Sequence, residues 1–402
     1  MTHRYDVIFY AAFLISFLYF IVLTAYYLIL ALVGFIETGK RINESGNEDY
    51  PLFYSSSFAI PISIVIPAHN EEEWIRDSVM SVLNIDYPKF ELIVVDDCSS
   101  DATPQILKDM LGLIPVDVLY TKHYKDGKIE TIFKSTKYPN VTVMRKSASS
   151  LKKAGTVNAG LNLAQYEYVC ALDADTILEP DALLKVMAQA QRDPEHIIGI
   201  GSYFGLSNGM KIKDGRIIKR SFSYKPIIAY QNLEYIRSFI GNRLAWSRFN
   251  AVPVIAGGFS VWQRDMLYET GGYSAEFTCE DMELTFRAQE YSLLNKAKSY
   301  TIKMLPYYVG WTEGPATIKS LISQRERWQR VINETVTKYH HMICNPKYGA
   351  FAFLTLPYMV LYEIFGVFFE VISIGFVAFG SIMGVLDIKV FLAFLALMLL
   401  SQ

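Results

Sequence analysis

The chain has 402 residues, of which 51% are hydrophobic, 14% aromatic and only 19% charged, with a formal net charge of −2. That makeup excludes a disordered or collagen-like chain, and the missing basic surplus excludes an electrostatic nucleic-acid binder. Its four cysteines (Cys98, Cys170, Cys279, Cys344) stand far apart with no C-x-x-C pair, which excludes a disulfide framework or zinc site and suits a reducing compartment.

In chain order, Val7 to Ile36 comes first and carries no Lys, Arg, Asp or Glu. A helix needs about 20 apolar residues to cross the hydrocarbon core, so a membrane span is predicted. The run is too long for the apolar stretch of a signal peptide. Arg4 before it and Lys40-Arg41 after it lean towards a cytoplasmic middle domain. A polar linker, Thr38–Ser57, follows. Ile62–Ile66 is a β-branched run after Pro61 and predicts a buried strand; Ile75, Val79 and Val82 then recur at helical spacing within Glu71–Leu83. Glu91–Val95 is the next strand, closing on Asp96-Asp97. Thr103 is placed to cap a helix with Pro104 at its first position. Val116–Tyr120 and Val141–Met144 predict further strands and Lys152–Leu163 a helix. Tyr168–Leu172 predicts a strand ending on Asp173-Ala174-Asp175, Pro180–Ala190 a helix and Ile197–Ile200 a strand. Gly205–Arg220, with Asn208-Gly209 and Asp214-Gly215, predicts a hairpin insertion. Strands separated by helices imply an α/β domain with a mostly parallel sheet, whose ligands bind beyond the carboxyl ends of the strands.

The acidic clusters sit at those ends. Asp173-x-Asp175 can reach a hard divalent cation, Mg²⁺ or Mn²⁺, though an exposed turn has the same look. Asp96 and Asp97 suit hydrogen bonds from a ribose or base edge, beside the helix-capping use that Asp101 and Thr103 already explain. Glu71–Glu73 face the positive end of their own helix, a sufficient structural reason for them. Lys152-Lys153 with Gly155 and Gly160 put cations at a helix start, where the dipole opposes them and a phosphate would reconcile both. Thr278 is placed to cap the next helix, in which Glu280 and Asp281 are first-turn charges or site groups and Glu283–Arg287 is an i,i+4 pair. Gly257-Gly258 and Gly271-Gly272 give the backbone room near a ligand. Thr317–Thr337 reads as an amphipathic helix carrying Gln324, Arg327 and Trp328, as expected of an interfacial helix. Tyr348–Leu386 is again apolar, broken by Pro357, Glu363 and Glu370, and holds one tilted span plus an interfacial segment, or two short helices. A last run, Val390 to Leu400, is about half a span and stops without a polar flank, as if clipped within a helix.

Six motifs in this order resemble the membrane-integrated family 2 glycosyltransferases, which include the cellulose, chitin, hyaluronan and poly-N-acetylglucosamine synthases. They are I-V-I-P-A-H-N-E-E, V-V-D-D-C-S-S-D-A-T, K-A-G-T-V-N-A-G-L, D-A-D, G-G-Y…C-E-D-M-E-L-T-F-R and Q-R-E-R-W, and together they span nearly the whole stretch from Ile62 to Arg330. Gln231–Arg237 and Trp311–Glu313 look closest to the poly-N-acetylglucosamine branch. The resemblance implies a GT-A-like α/β domain in which Ala68, Asn70, Glu71, Asp96 and Asp97 serve the nucleotide. It implies that Asp173 contacts the nucleotide sugar, that Asp173 and Asp175 hold Mg²⁺ or Mn²⁺, and that Lys153 approaches the diphosphate. Asp281, with Glu280 beside it, would be the catalytic base, and Gln324, Arg327 and Trp328 would close the site. Cys279 and His69 stand where the family usually has Thr and Tyr.

The division implied is a transmembrane helix (1–37), a linker (38–57), a catalytic domain (58–315), an amphipathic interface region (316–347) and a C-terminal membrane region (348–402). The activity implied is inverting transfer from a nucleotide sugar, UDP-GlcNAc or UDP-glucose, to a growing polysaccharide at the plasma membrane, in a multi-pass protein with a cytoplasmic catalytic domain. A glycolipid synthase with a lipid acceptor shares every motif; a non-catalytic nucleotide-binding scaffold is the reading from another class. The resemblance also leaves room for further membrane or export subunits.

Overall fold

The computed structural model describes residues 2–56, 58–149, 151–382, 389 and 392–396. Its first helix, Thr2–Gly46, runs through the charge-free segment and on past it. Much of the expected linker is therefore helical, and a second helix, Tyr50–Ser55, follows with Asp49 Oδ1 accepting from Leu52 N at 2.9 Å. The polar half is held by pairing, because Glu44 meets Arg41 at 3.0 Å and Arg192 at 3.2 Å.

The strands, in chain order, are β1 (Ile62–Ala68), β2 (Phe90–Asp96), β3 (Leu113–Val116), β4 (Ile129–Ser135), β5 (Val141–Lys146), β6 (Tyr168–Leu172), β7 (Ile177–Leu178), β8 (Ile197–Leu206), β9 (Lys211–Lys213), β10 (Arg216–Lys219), β11 (Phe259–Gln263) and β12 (Thr301–Thr312). Ten of them form one sheet in the order β3-β4-β5-β2-β1-β6-β11-β8-β12-β7, while β9 and β10 make the separate hairpin expected at Asp214-Gly215. β5, β2, β1 and β6 are mutually parallel, as are β8 and β12, and β11 runs antiparallel between β6 and β8. The expected α/β class with a mostly parallel sheet is what the chain forms. Every residue of β1, β6 and β8 is buried, as strands covered on both faces must be.

Three local expectations differ. The strand predicted at Val116–Tyr120 lies earlier, at Leu113–Val116, because that stretch pairs with β4. β4 itself was not expected; its Glu130 and Lys134 disguise an edge-side alternation that buries Ile132. Thr103 and Thr278 are not caps. Ala102 precedes the Thr103–Leu111 helix and Thr103 Oγ1 accepts from Glu71 N at 2.8 Å, while Thr278 is spent on Glu334 at 2.7 Å through both Oγ1 and N.

A second apolar core lies beside the sheet core. It joins Phe20, Leu23 and Leu30 of the first helix to Trp246, Phe286, Val331 and the Phe351–Met359 segment. The C-terminal apolar block is a broken pair of helical stretches, 351–364 and 366–380, bent by 45°. Among the described residues one helix, Phe13–Gly46, is long and apolar enough to cross a membrane, or two if the bent pair is one span. Most of the 390–400 run lies outside the described residues.

Candidate active site

Three parallel strands deliver their carboxyl ends to one cavity of about 420 Å³, lined by Ala68, Glu71, Asp97, Lys153, Asp173, Asp175 and Arg327 among others. β1 ends on Ala68, whose carbonyl accepts from Asp97 N at 2.8 Å, and His69 Nδ1 meets Asp97 O at 2.7 Å. The ends of β1 and β2 are thereby clamped together. Asp97 is buried, and its carboxylate is fixed from both sides by Lys146 Nζ at 2.7 Å and Ser149 Oγ at 2.6 Å. Lys146 closes β5, is 1% exposed and also donates to Thr156 Oγ1 at 3.2 Å.

Asp96 and Asn70 sit behind this wall. Asp96 Oδ1 accepts from Ser99 N at 3.1 Å, and burial lifts its carboxyl above the usual range. Asn70, at φ +58° where Asn is tolerated, accepts from Ser100 N at 2.8 Å and donates its own N–H to Ser99 Oγ at 3.0 Å. Both residues latch the loop that carries Asp97, and neither lines the cavity.

Across the cavity, Lys153 Nζ lies 2.5 Å from Asp173 Oδ1 and 3.0 Å from Glu280 Oε1. Burial works against the ammonium, but Asp173 and Glu280 outweigh it and hold Lys153 well above its ordinary range. Burial lifts Asp173 and Asp175 despite the pull of Lys153, and burial with Asp175 and Asp173 raises Glu71 to about 7. Three carboxylates each made reluctant to ionise are the electrostatics of a place where a cation is wanted. No group of three or more His, Cys, Asp or Glu with metal-cage geometry occurs among the described residues. Asp173 and Asp175 nevertheless fit Mg²⁺ or Mn²⁺, which take one or two carboxylates and complete their shell with water and phosphate oxygens.

Asp281 opens the Glu280–Leu294 helix and faces a smaller space of about 170 Å³ shared with Arg243 and Trp328. Its Oδ2 accepts from Gly257 N at 2.9 Å and its Oδ1 from Met282 N at 2.8 Å. Gly257 leaves room there: a Cβ would stand a tight 3.0 Å from Lys153 Nζ and 3.5 Å from Asp281 Oδ2. Burial, then Glu280, raise the Asp281 carboxyl above the usual range against Lys153 and these two N–H groups, which makes it a better proton acceptor when ionised. Glu280, one residue earlier, is spent on Lys153 and lines neither space.

The predicted amphipathic helix is Ile318–Lys338, started by a capping box between Thr317 and Ser320. It brings Arg327 to the larger cavity and Trp328 to the smaller one. Arg325 stacks 4.2 Å from the Trp328 ring centre and pairs with Glu234 at 2.5 Å. Gln324 lines neither space, and its Oε1 is buried without a hydrogen-bond partner among the described residues. Sequence reasoning missed Lys146, Ser149 and Arg243. A strand read to Lys146 rather than Met144 would have put a buried lysine at a strand end; Arg243 carries no such signal.

The model of glycosyl transferase family 2 matches residues 63–269, and that of glycosyl transferase family group 2 matches residues 168–401. A poly-beta-1,6-N-acetyl-D-glucosamine synthase of Staphylococcus epidermidis is 27% identical over 278 residues, 69% of this chain and 56% of the synthase. The chain thus spans about half the length of the synthases it matches. The probable glycosyltransferase YdaM of Bacillus subtilis is 26% identical over 326 residues, 80% of this chain and 67% of YdaM. In fold, the chain is similar to the mannosyltransferase PcManGT from Pyrobaculum calidifontis, solved with GDP-Man and Mn²⁺. The TM-score is 0.57 at 18% identity, covering 93% of this chain and 90% of that one; the likeness is one of architecture, a GT-A-like α/β fold.

Proposed function

The chain belongs to glycosyl transferase family 2 and is a glycosyltransferase, and from that premise we propose that it transfers N-acetylglucosamine from UDP-GlcNAc to an acceptor hydroxyl at a membrane, with inversion. Asp97, fixed by Lys146 and Ser149, holds the nucleoside. Lys153 and Arg327 bind the diphosphate as its charge grows. Asp173 and Asp175 would hold Mg²⁺ or Mn²⁺, which when bound neutralises the departing diphosphate. Asp281 takes the proton of the attacking hydroxyl, and one base without a covalent nucleophile gives a single inverting displacement. Trp328 forms a wall of the acceptor space beside Asp281.

The observation that carries this reading is the reach of Lys153 to both Asp173 and Glu280. It couples the donor cavity to the first turn of the helix bearing Asp281. The N-acetylglucosamine assignment draws on the names of the Staphylococcus relatives, and the membrane setting on the Phe13–Gly46 helix. Membranes carrying the full chain, supplied with Mn²⁺ and radiolabelled UDP-GlcNAc, UDP-glucose or GDP-mannose in turn, test it. Incorporation from UDP-GlcNAc is expected; incorporation only from GDP-mannose would contradict the donor assignment.

A further inference from the structure

Beyond the donor cavity, a second space, mostly apolar beside Asp281 and more polar further on, leads from Asp281 towards the bent C-terminal helices. Its inner part encloses about 170 Å³ and a neighbouring part about 190 Å³, and both are lined by Arg243, Val254, Met282, Trp328 and Ile332. Arg243 ends the π-helical stretch Arg237–Arg243, with its guanidinium 4.2 Å from the Phe239 ring centre. Its Nη1 is buried and has no hydrogen-bond partner among the described residues. An unmet guanidinium N–H is costly inside a protein, and a guanidinium cannot shed its charge to escape that cost. Such a donor is best explained by an oxygen that arrives with a ligand.

The charge around it says which oxygen. Asp281, Glu234 and Glu363 line the same space as Arg237 and Arg243. Arg325 neutralises Glu234 at 2.5 Å, and Glu363 Oε1 accepts from Tyr358 OH at 2.6 Å. The two lining arginines are therefore offset by Asp281 and Glu363, and no positive surplus is left to hold a phosphate. Mixed donors and acceptors beside an indole suit a neutral polyhydroxylated group.

Resting on the reading of Asp281 as the base, we propose that Arg243 is an acceptor-binding residue, donating from Nη1 to an oxygen next to the attacking hydroxyl, and that the acceptor end held here is an uncharged sugar. The test uses full-length protein in membranes, UDP-GlcNAc as donor, and either an N-acetylglucosamine oligosaccharide or a polyprenyl phosphate as acceptor. Arg243→Gln should raise the oligosaccharide KM about 10- to 100-fold, the loss expected for one charged hydrogen bond. Arg243→Lys should recover part of it, and UDP should bind both variants as it binds the wild type. The polyprenyl phosphate should be a poor acceptor for the wild-type chain. An unchanged oligosaccharide KM in Arg243→Gln, UDP binding lost from both variants, or preferential use of the polyprenyl phosphate would each overturn the proposal. A wild-type chain that binds no UDP would instead strike the donor reading beneath it.

Discussion

The Lys146 ammonium has no water to fall back on: it is 1% exposed and satisfied by Asp97 and Thr156. Removing one partner of such a pair strands the other, at a cost of about 3–5 kcal/mol, whereas removing both charges is far milder. Lys146→Met should therefore lower the thermal midpoint sharply and weaken UDP binding, and adding Asp97→Asn should return stability without returning UDP affinity. Thermal unfolding alongside UDP titration checks both halves. At this scale the sequence was partly legible. Asp97, Lys153 and Asp173 stood out because an acid at a strand end or a cation at a helix start has little structural excuse, whereas Asp281, a favourable first-turn charge, was singled out by the family resemblance. Asp96 carried the same signal but went to the loop behind the wall, because adjacent residues leaving a strand face opposite ways; Asn70, named only by the resemblance, went there too. Lys146 was hidden by the reverse problem, since its partner is 49 positions away and nothing local announces burial.

Among the elements, the Ile318–Lys338 helix borders both cavities, since Arg327 and Trp328 leave neighbouring positions towards different spaces. Its period was readable, but its setting was not. Only Val331, Thr335 and Val336 are buried, while Ile318 and Ile322 remain exposed. Thr317→Ala removes the capping box and should cost about 1 kcal/mol, seen as faster hydrogen exchange in the helix's first turn. The first helix meets the catalytic half at Gly34, where a Cβ would overlap the carbonyl oxygens of Ile240 and Gly241. Gly34→Leu should push the Arg237–Arg243 stretch away and reduce transfer at least several-fold while leaving UDP affinity intact. Equal loss of both would contradict that view of the contact. The polar continuation of this helix to Gly46 escaped sequence reasoning because its stability comes from ion pairs and docking on Arg192, which apolar periodicity does not register.

For the molecule as a whole, the apolar blocks at the two ends of the chain converge. Phe20, Leu23 and Leu30 share one core with Phe351, Leu356 and Met359, and Met282 of the Asp281 helix belongs to it too. Hydropathy located both blocks; long-range convergence of this kind leaves no local pattern to read. The arrangement seats Asp281 between an apolar assembly and the larger cavity, so on the proposed reading acceptor and donor would approach from different sides. With Asp173 and Asp175 as the proposed metal ligands, chelation with EDTA should stop transfer and Mn²⁺ or Mg²⁺ should restore it; undiminished transfer in EDTA would remove the dyad's metal role. The most direct test of the whole account is Asp281→Asn in full-length protein, with UDP affinity and GlcNAc transfer measured on the same membranes. Transfer should fall by about 10²–10⁴-fold, the usual worth of a positioned base, with UDP affinity unchanged. Transfer at wild-type rate, or loss of UDP binding in step with activity, would contradict it.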